Sequence, residues 1–182
     1  MNKVQGQSFI AASLMLCSFN LMAGGDAFKS GVVLPQYGKV ADVETSLVIP
    51  KGMTFKVVFD VSKAAEPGKV NRSLDTLARF INMHVSNGVA LDDIDLMMVV
   101  HGSAVKDFTK EKYFQSTQGQ PNTNAELISQ LSKLGVKFNL CGQSAAYYDV
   151  TLQQLLPGVD MALSAMTAHA IAAREGYSLN PF

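Results

Sequence analysis

Residues 94–102 read Ile94-Asp95-Leu96-Met97-Met98-Val99-Val100-His101-Gly102, an almost unbroken apolar run that ends at a histidine and a glycine. A run of this length is typical of a β-strand that is buried on both faces of a sheet. Three other segments share the pattern and are also predicted to be strands: 55–61, 136–140 and 159–164.

Helical patterns separate these strands. Between the first two, apolar residues recur at helical spacing at Leu74, Leu77, Ala78, Ile81 and Val85. A second helix is predicted at 123–134 and a last one at 167–175. Alternating strands and helices require right-handed crossovers and therefore a mainly parallel sheet. We predict an α/β fold, a single three-layer α/β/α domain with a mainly parallel sheet of four to five strands.

The first 23 residues predict a cleavable signal peptide. Lys3 supplies an early positive charge, an apolar stretch runs from Phe9 through Leu16, and small residues follow from Ala23. The apolar stretch is shorter than the roughly 20 residues of a membrane-spanning helix. Lipid attachment at Cys17 is the alternative, and it fits less well because bulky Leu16 stands where such a site has a small residue.

Three segments and a location follow from this interpretation. We expect a signal peptide at 1–23, an extended lead-in at 24–52 and one α/β domain at 53–182. The mature protein is expected in the periplasm or secreted, with no membrane association after cleavage.

Charge and motifs exclude several classes of function. The chain has 15 basic and 15 acidic residues, so loss of Lys3 with the signal peptide leaves 14 against 15 and a net charge of −1. This balance does not favour nucleic acid as a partner. No Walker loop is present, no Gly-x-Gly-x-x-Gly motif follows the first strand, and no zinc-site spacing occurs. We therefore predict no cofactor and no metal.

Chemistry is expected where the parallel strands end, because ligands bind beyond the carboxyl ends of such strands. Asp60, His101, Cys141 and Ser164 map to those ends. His101 is either a base or donor beside the thiol or a residue that orients its loop. His84 and His169 lie within predicted helices, where packing or surface roles are favoured.

Cys141 is the only cysteine left after signal removal, so it cannot form an intramolecular disulfide. It stands where a strand meets a helix start, and the unpaired amides there stabilise a thiolate. Gly142 allows a backbone amide to approach the sulfur closely. The alternative is that Cys141 is a buried, inert thiol that fills space.

An ordered series of segments resembles the DsrE-like family, most closely its exported branch. The segments are 56–61, 70–71, 78–83, 99–102, 122–127, 135–136, 141–143, 157–159, 162–167 and 176–177. The resemblance implies a homo-oligomer, a trimer or hexamer. It also implies that Cys141 carries sulfur as a persulfide, with His101 and Gly102 lining the adjacent rim and Gln143 covering the sulfur. Asn71 and Asn82 match the family pattern around the first helix, where they are expected to fix the loop.

Two hypotheses of different classes follow. In the first, the protein is a periplasmic sulfur carrier, with Cys141 as the reactive residue and Asp60, Asn71, His101, Gly102, Gly142 and Gln143 lining its pocket. Its partners are then a sulfur donor or acceptor protein or a small thiol, and whether it turns over as an enzyme stays open. In the second, the protein is a small-ligand-binding or assembly module whose cysteine only lines the pocket. Redox catalysis is weaker than either, because no second cysteine is available to resolve a disulfide.

Overall fold

The computed structural model of the protein describes residues 24–180, so the predicted signal peptide lies outside the described residues. In these residues five strands are separated by α-helices, with two helices between the second and third strands and one between each other pair. The strands are β1 (Phe55–Val61), β2 (Ile94–Val100), β3 (Lys137–Cys141), β4 (Val159–Ala162) and β5 (Ser178–Asn180). The helices are α1 (Arg72–Ser86), α2 (Glu111–Gln118), α3 (Ala125–Lys133), α4 (Gly142–Tyr147) and α5 (Ala165–Arg174). Short 3₁₀ helices lie at Gly24–Ala27, Leu91–Asp93, Gly102–Phe108 and Leu152–Gln154.

All five strands are parallel, in the order β4-β3-β2-β1-β5. Parallel neighbours need crossover connections, and the intervening helices provide them. The predicted single α/β domain with a mainly parallel sheet is therefore confirmed. The last predicted strand ends two residues early, at Ala162, because Ser164 caps α5 by accepting a hydrogen bond from the Thr167 amide at 3.1 Å.

The two faces of the sheet carry different amounts of core. On one face, Phe59, Met98 and Phe138 belong to a large cluster that also contains the buried apolar residues of α1 and α3. On the other face, a small cluster is built from strand residues such as Val58 and Val99 together with α5. Because alternate strand residues point to opposite faces, the cluster to which a strand residue belongs shows whether its neighbours face α5 or the other side.

The segment before the sheet packs against α1 through one buried side chain, Asn82. Its Oδ1 accepts from the Val33 and Leu34 amides at 3.1 and 2.9 Å. Its Nδ2 donates to the carbonyls of Leu34, Tyr37 and Gly38 at 3.1, 2.9 and 3.1 Å. Asn82 thus satisfies five backbone groups of a segment that has no strand partners of its own beyond a bridge between residues 29 and 40. Within residues 24–180, no helix is both long enough and apolar enough to cross a bilayer.

Candidate functional site

Cys141 is the last residue of β3 and immediately precedes α4. Its side chain is nearly enclosed, with 5% of the residue exposed. Strand pairing to β2 and β4 holds the backbone on both sides, since Leu140 pairs with Val100 and Cys141 with Ala162. The sulfur position is therefore fixed by the sheet.

Burial and nearby polar groups act in opposite directions on the pKa of this thiol. Burial raises the pKa of the Cys141 thiol, whereas the Ser144 hydroxyl and amide lower it. The backbone amides of Ala165 and Gln143 lower it as well. The balance lowers the pKa of Cys141 below its ordinary value, because hydrogen bonds to the charged form outweigh desolvation.

Gly142 allows this arrangement by its lack of a side chain. A Cβ atom at position 142 would lie 2.8 Å from the Ala162 carbonyl oxygen and 3.2 Å from that of Leu163. The start of α4 can therefore contact the β4–α5 connection only with glycine at this position. The neighbouring Gln143 side chain donates to the Leu163 carbonyl at 3.3 Å and stabilises the contact between α4 and the β4–α5 connection.

Ser144 also connects the thiol to the loop after β2. Its hydroxyl oxygen accepts a hydrogen bond from the Gly102 amide at 2.9 Å. Gly102 has a φ of 54°, and a Cβ there would lie 2.5 Å from the Ser62 carbonyl oxygen. Glycine is thus required at position 102 for both its backbone conformation and its close approach to the loop after β1.

A second cluster contains one side chain from the end of β1, one that follows β2 and one from within α5. The Asp60 carboxylate contacts two imidazoles, with Oδ2 at 2.8 Å from His101 Nε2 and Oδ1 at 2.7 Å from His169 Nε2. All three side chains are about one-third exposed, at 32%, 33% and 28% for Asp60, His101 and His169. In the described part of the chain, no group of three or more His, Cys, Asp or Glu side chains is arranged to hold a metal ion.

The cluster and the thiol share one face of the sheet. Val58 and Val99 pack in the α5-side cluster, so Asp60 and His101, each two residues further along an extended backbone, point to that side. Leu140 packs on the opposite face, so its neighbour Cys141 also points toward α5. The structure therefore brings Asp60, His101 and Cys141 to one edge and one face.

Asn71, which was also predicted to line the pocket, lies at the start of α1 and bonds the loop after β1. It caps α1 by accepting from the Ser73 amide at 2.9 Å, and its Nδ2 donates to the Lys63 carbonyl at 2.9 Å and to Asp107 Oδ2 at 2.7 Å. The Ala65 amide donates to the same Asp107 oxygen at 2.8 Å. Asn71 therefore holds the loop after β1.

Burial of Asp107 leads to a prediction about pH. Desolvation raises the pKa of Asp107 above its ordinary value, and hydrogen bonds from Asn71 and Ala65 only partly offset this. Above the unfolded pKa of about 3.9, the folded state then retains a proton that the unfolded state has lost, so stability falls as pH rises through that window. We expect Asp107→Asn, which keeps an acceptor oxygen without the charge, to unfold at a higher urea concentration at pH 7.5 and to lack this decrease. An equal decrease in wild type and variant between pH 4 and 7.5 would contradict the assignment.

An open cavity of about 570 Å³ lies beyond the end of β1. It is lined by residues 60–66 and 69–73. Of the predicted site residues, Asp60 and Asn71 line it, whereas His101, Gly102, Cys141, Gly142 and Gln143 do not. The predicted pocket is thus divided into a cavity and an adjoining thiol site.

Two site residues were not predicted. His169 was expected in a packing or surface role, but α5 brings it to Asp60, and helical spacing alone carries no signal of that contact. Ser144 stands three residues after Cys141, the residue that immediately precedes α4. At this spacing a side chain in the first turn of a helix lies close to the residue that precedes the helix. That spacing is a usable signal for Ser144.

Comparison with known proteins places the chain in a family. No curated protein matches the chain. Two solved structures share its fold: MTH1491 from Methanobacterium thermoautotrophicum, described as a protein of unknown function, and the ychN protein from E. coli. The first is 18% identical with a TM-score of 0.54 and covers 70% of this chain and 99% of its own. The second is 16% identical with a TM-score of 0.52 and covers 71% of this chain and 100% of its own. The model of the DsrE/DsrF-like family matches residues 56–181, so the chain belongs to that family, which is linked to sulfur relay.

Proposed function

We propose that the protein is a periplasmic sulfur carrier in which Cys141 holds sulfur as a persulfide and passes it to an acceptor thiol. The observation that carries this proposal is the placement of Cys141 at the junction of β3 and α4, where the Ser144 hydroxyl and the backbone amides of Ser144, Ala165 and Gln143 lower the pKa of the thiol. A lowered thiol pKa increases the thiolate fraction at neutral pH, and the thiolate is the nucleophile. Membership in the DsrE/DsrF-like family supports the same chemistry.

Loading from a small sulfane donor illustrates the step. The Cys141 thiolate attacks the outer sulfur of thiosulfate, a sulfur–sulfur bond forms, and sulfite leaves with the electron pair of the bond that breaks. The product is a Cys141 persulfide anion, which keeps one negative charge where the thiolate had one.

A homo-oligomer is part of this proposal. Leu163 and Met166 are 72% and 80% exposed, and Ile171 lies half exposed further along α5. Leu163 and Met166 flank Ala165, whose amide lowers the pKa of Cys141. A second copy of the chain packed on this apolar surface would bury it and shield the thiol site from solvent. Light scattering of the mature protein should give the mass of a trimer or hexamer, and a monomer mass would contradict this.

Mass spectrometry of the intact mature protein tests the carrier role. We expect incubation with polysulfide or thiosulfate to add about 32 Da per sulfur, the atomic mass of sulfur, and a reductant to remove it. Cys141→Ser should show no such gain. Wild-type protein that gains no sulfur, or a Cys141→Ser variant that gains as much, would refute the proposal.

A ligand-binding module is the second candidate, and the cavity beyond β1 supports it. Lys63, Lys69 and Arg72 line the cavity, and Lys69 is paired with Glu66 at 2.6 Å. In this case Cys141 has no chemical role, and Cys141→Ala should retain both the oligomer and ligand affinity. A native thiol that reacts with iodoacetamide only after unfolding would favour this candidate.

A further inference from the structure

The cluster of Asp60, His101 and His169 has a defined protonation pattern. A carboxylate only accepts hydrogen bonds, and each Asp60 oxygen faces one Nε2 atom, at 2.8 Å from His101 and 2.7 Å from His169. Each Nε2 must therefore carry the hydrogen. A neutral imidazole held in this way has its lone pair on Nδ1, and that nitrogen is then the basic one.

Strand pairing places His101 beside the thiol. The His101 amide donates to the Val61 carbonyl at 2.9 Å, which continues the β1–β2 pairing by one residue. On the other side, Val100 pairs with Leu140, so His101 lies level with Cys141 on the neighbouring strand. Neighbouring strands are about 4.8 Å apart, and both side chains point toward α5.

His169 ties the same cluster to the helix that contributes to the thiol site. It lies on α5, and the amide of the first residue of α5, Ala165, lowers the pKa of Cys141. The three side chains are about one-third exposed, so solvent reaches the imidazoles, and 5% of Cys141 is exposed. The sulfur and a base held by a carboxylate thus lie at one partly open edge.

We propose that His101 is the general base that removes the proton from the thiol that receives sulfur from Cys141. Asp60 is the positioning residue, because it fixes the imidazole tautomer, and His169 holds the second Asp60 oxygen. A base held by an orienting carboxylate next to a sulfur or oxygen nucleophile is a recurrent arrangement in nucleophilic catalysis. This inference rests on the proposed carrier function.

The transfer step balances as follows. The acceptor thiol R–SH gives its proton to His101 Nδ1, and the resulting thiolate attacks the outer sulfur of the Cys141 persulfide. A bond forms between the acceptor sulfur and the outer sulfur of the persulfide. The bond from the outer sulfur to Cys141 Sγ breaks, and its electron pair remains on Sγ. The products are the persulfide anion R–S–S⁻ and Cys141 thiolate, whose pKa the groups at Ser144, Ala165 and Gln143 lower. His101 then releases its proton to solvent.

The charged surroundings of His101 come from several elements. Asp60 approaches from β1, His169 from α5 and the ionisable Cys141 from β3. The cavity that shares Asp60 adds three cationic side chains and one carboxylate, those of Lys63, Lys69, Arg72 and Glu66. A cationic rim favours an anionic acceptor thiol near His101.

The test separates loading from unloading. Each protein is first loaded with polysulfide and its persulfide content measured by intact mass. Loss of about 32 Da is then followed after mixing with 2-mercaptoethanol between pH 6 and 10. The variants are His101→Gln and Asp60→Asn, with His84→Gln on α1 as the histidine control.

We expect His101→Gln to load as wild type does but to unload about 100-fold more slowly at pH 7, the low end of the usual contribution of a general base. The difference should disappear near pH 10, where the acceptor is already a thiolate. Asp60→Asn should unload more slowly than wild type and more quickly than His101→Gln, and His84→Gln should match wild type. Normal loading with wild-type unloading in His101→Gln would overturn the role of His101 alone. Failure of wild type to load would overturn the carrier function, and this step with it.

Discussion

Asn82→Ala is expected to lower the free energy of unfolding by about 3–5 kcal/mol, because several backbone groups lose their only side-chain partner at once. The amide of Asn82 satisfies two N–H groups and three carbonyls of residues 33–38. Each buried group left without a partner costs roughly 1–3 kcal/mol, and partial access of water to the detached segment limits the sum. Urea denaturation of the purified protein measures the change.

A second substitution at position 82 tests the donor role of the Asn82 amide separately from its acceptor role. Asn82→Asp keeps an acceptor for the Val33 and Leu34 amides but directs a carboxylate oxygen at three carbonyl oxygens, so it should also destabilise the protein. Asn87, at the end of the same helix, is exposed and bonds only the Met83 carbonyl, at 2.8 Å, among the side-chain contacts described for it. Asn87→Ala should therefore change stability by less than about 1 kcal/mol. A similarly small change for Asn82→Ala would show that the lead-in does not contribute to stability through this residue.

Gly142→Ala should raise the pKa of Cys141 and slow its alkylation at pH 7 by roughly tenfold. The added Cβ would lie 2.8 Å from the Ala162 carbonyl oxygen, a backbone atom that cannot rotate away. The start of α4 must then move from the β4–α5 connection, which separates the sulfur from donors on the two sides. A hydrogen bond to a charged group contributes roughly 1.5–3 kcal/mol, and about 1.4 kcal/mol corresponds to a tenfold change in thiolate population.

The rate of reaction with iodoacetamide as a function of pH measures this effect. The midpoint of the profile should move upward in Gly142→Ala, with the limiting rate at high pH nearly unchanged. Gly25→Ala is the matched control, since a Cβ there meets nothing within 4 Å and its backbone conformation requires no glycine. An unshifted midpoint in Gly142→Ala would mean that close approach at Gly142 does not set the pKa of the thiol.

Strands were the most predictable part of this fold. β1 and β2 are mostly buried, so they appear in the sequence as nearly continuous apolar runs at Phe55–Val61 and Ile94–Val100, whereas β3 alternates its apolar residues with exposed Lys137 and half-buried Asn139. β5 was not located, because it has three residues, of which only Leu179 is a large apolar one, and pairing with β1 defines it. The α2 helix was also missed, since Phe114 is its one buried residue and no apolar periodicity results.

The candidate site also has a part that the sequence predicts and a part that it does not. Asp60, His101 and Cys141 could be placed together because each ends a parallel strand, and topology alone brings strand ends to one edge. The contact of His169 with Asp60 depends on where α5 lies across the sheet, which local spacing does not encode. Ligand identity is a further step, because the donors around the thiol recognise charge and not a particular acceptor.

The position of β5 has a consequence for the order in which the protein can be completed. β1 is paired on one side by β2 and on the other by residues 178–180, and the Ser178 hydroxyl donates to the Lys56 carbonyl across 122 positions of sequence. One edge of the first strand therefore remains unpaired until almost the whole domain has been synthesised. A growing chain therefore cannot close its sheet early. The same delay exposes an apolar strand edge to other chains, so the interval before β5 docks is when this protein is most prone to aggregate.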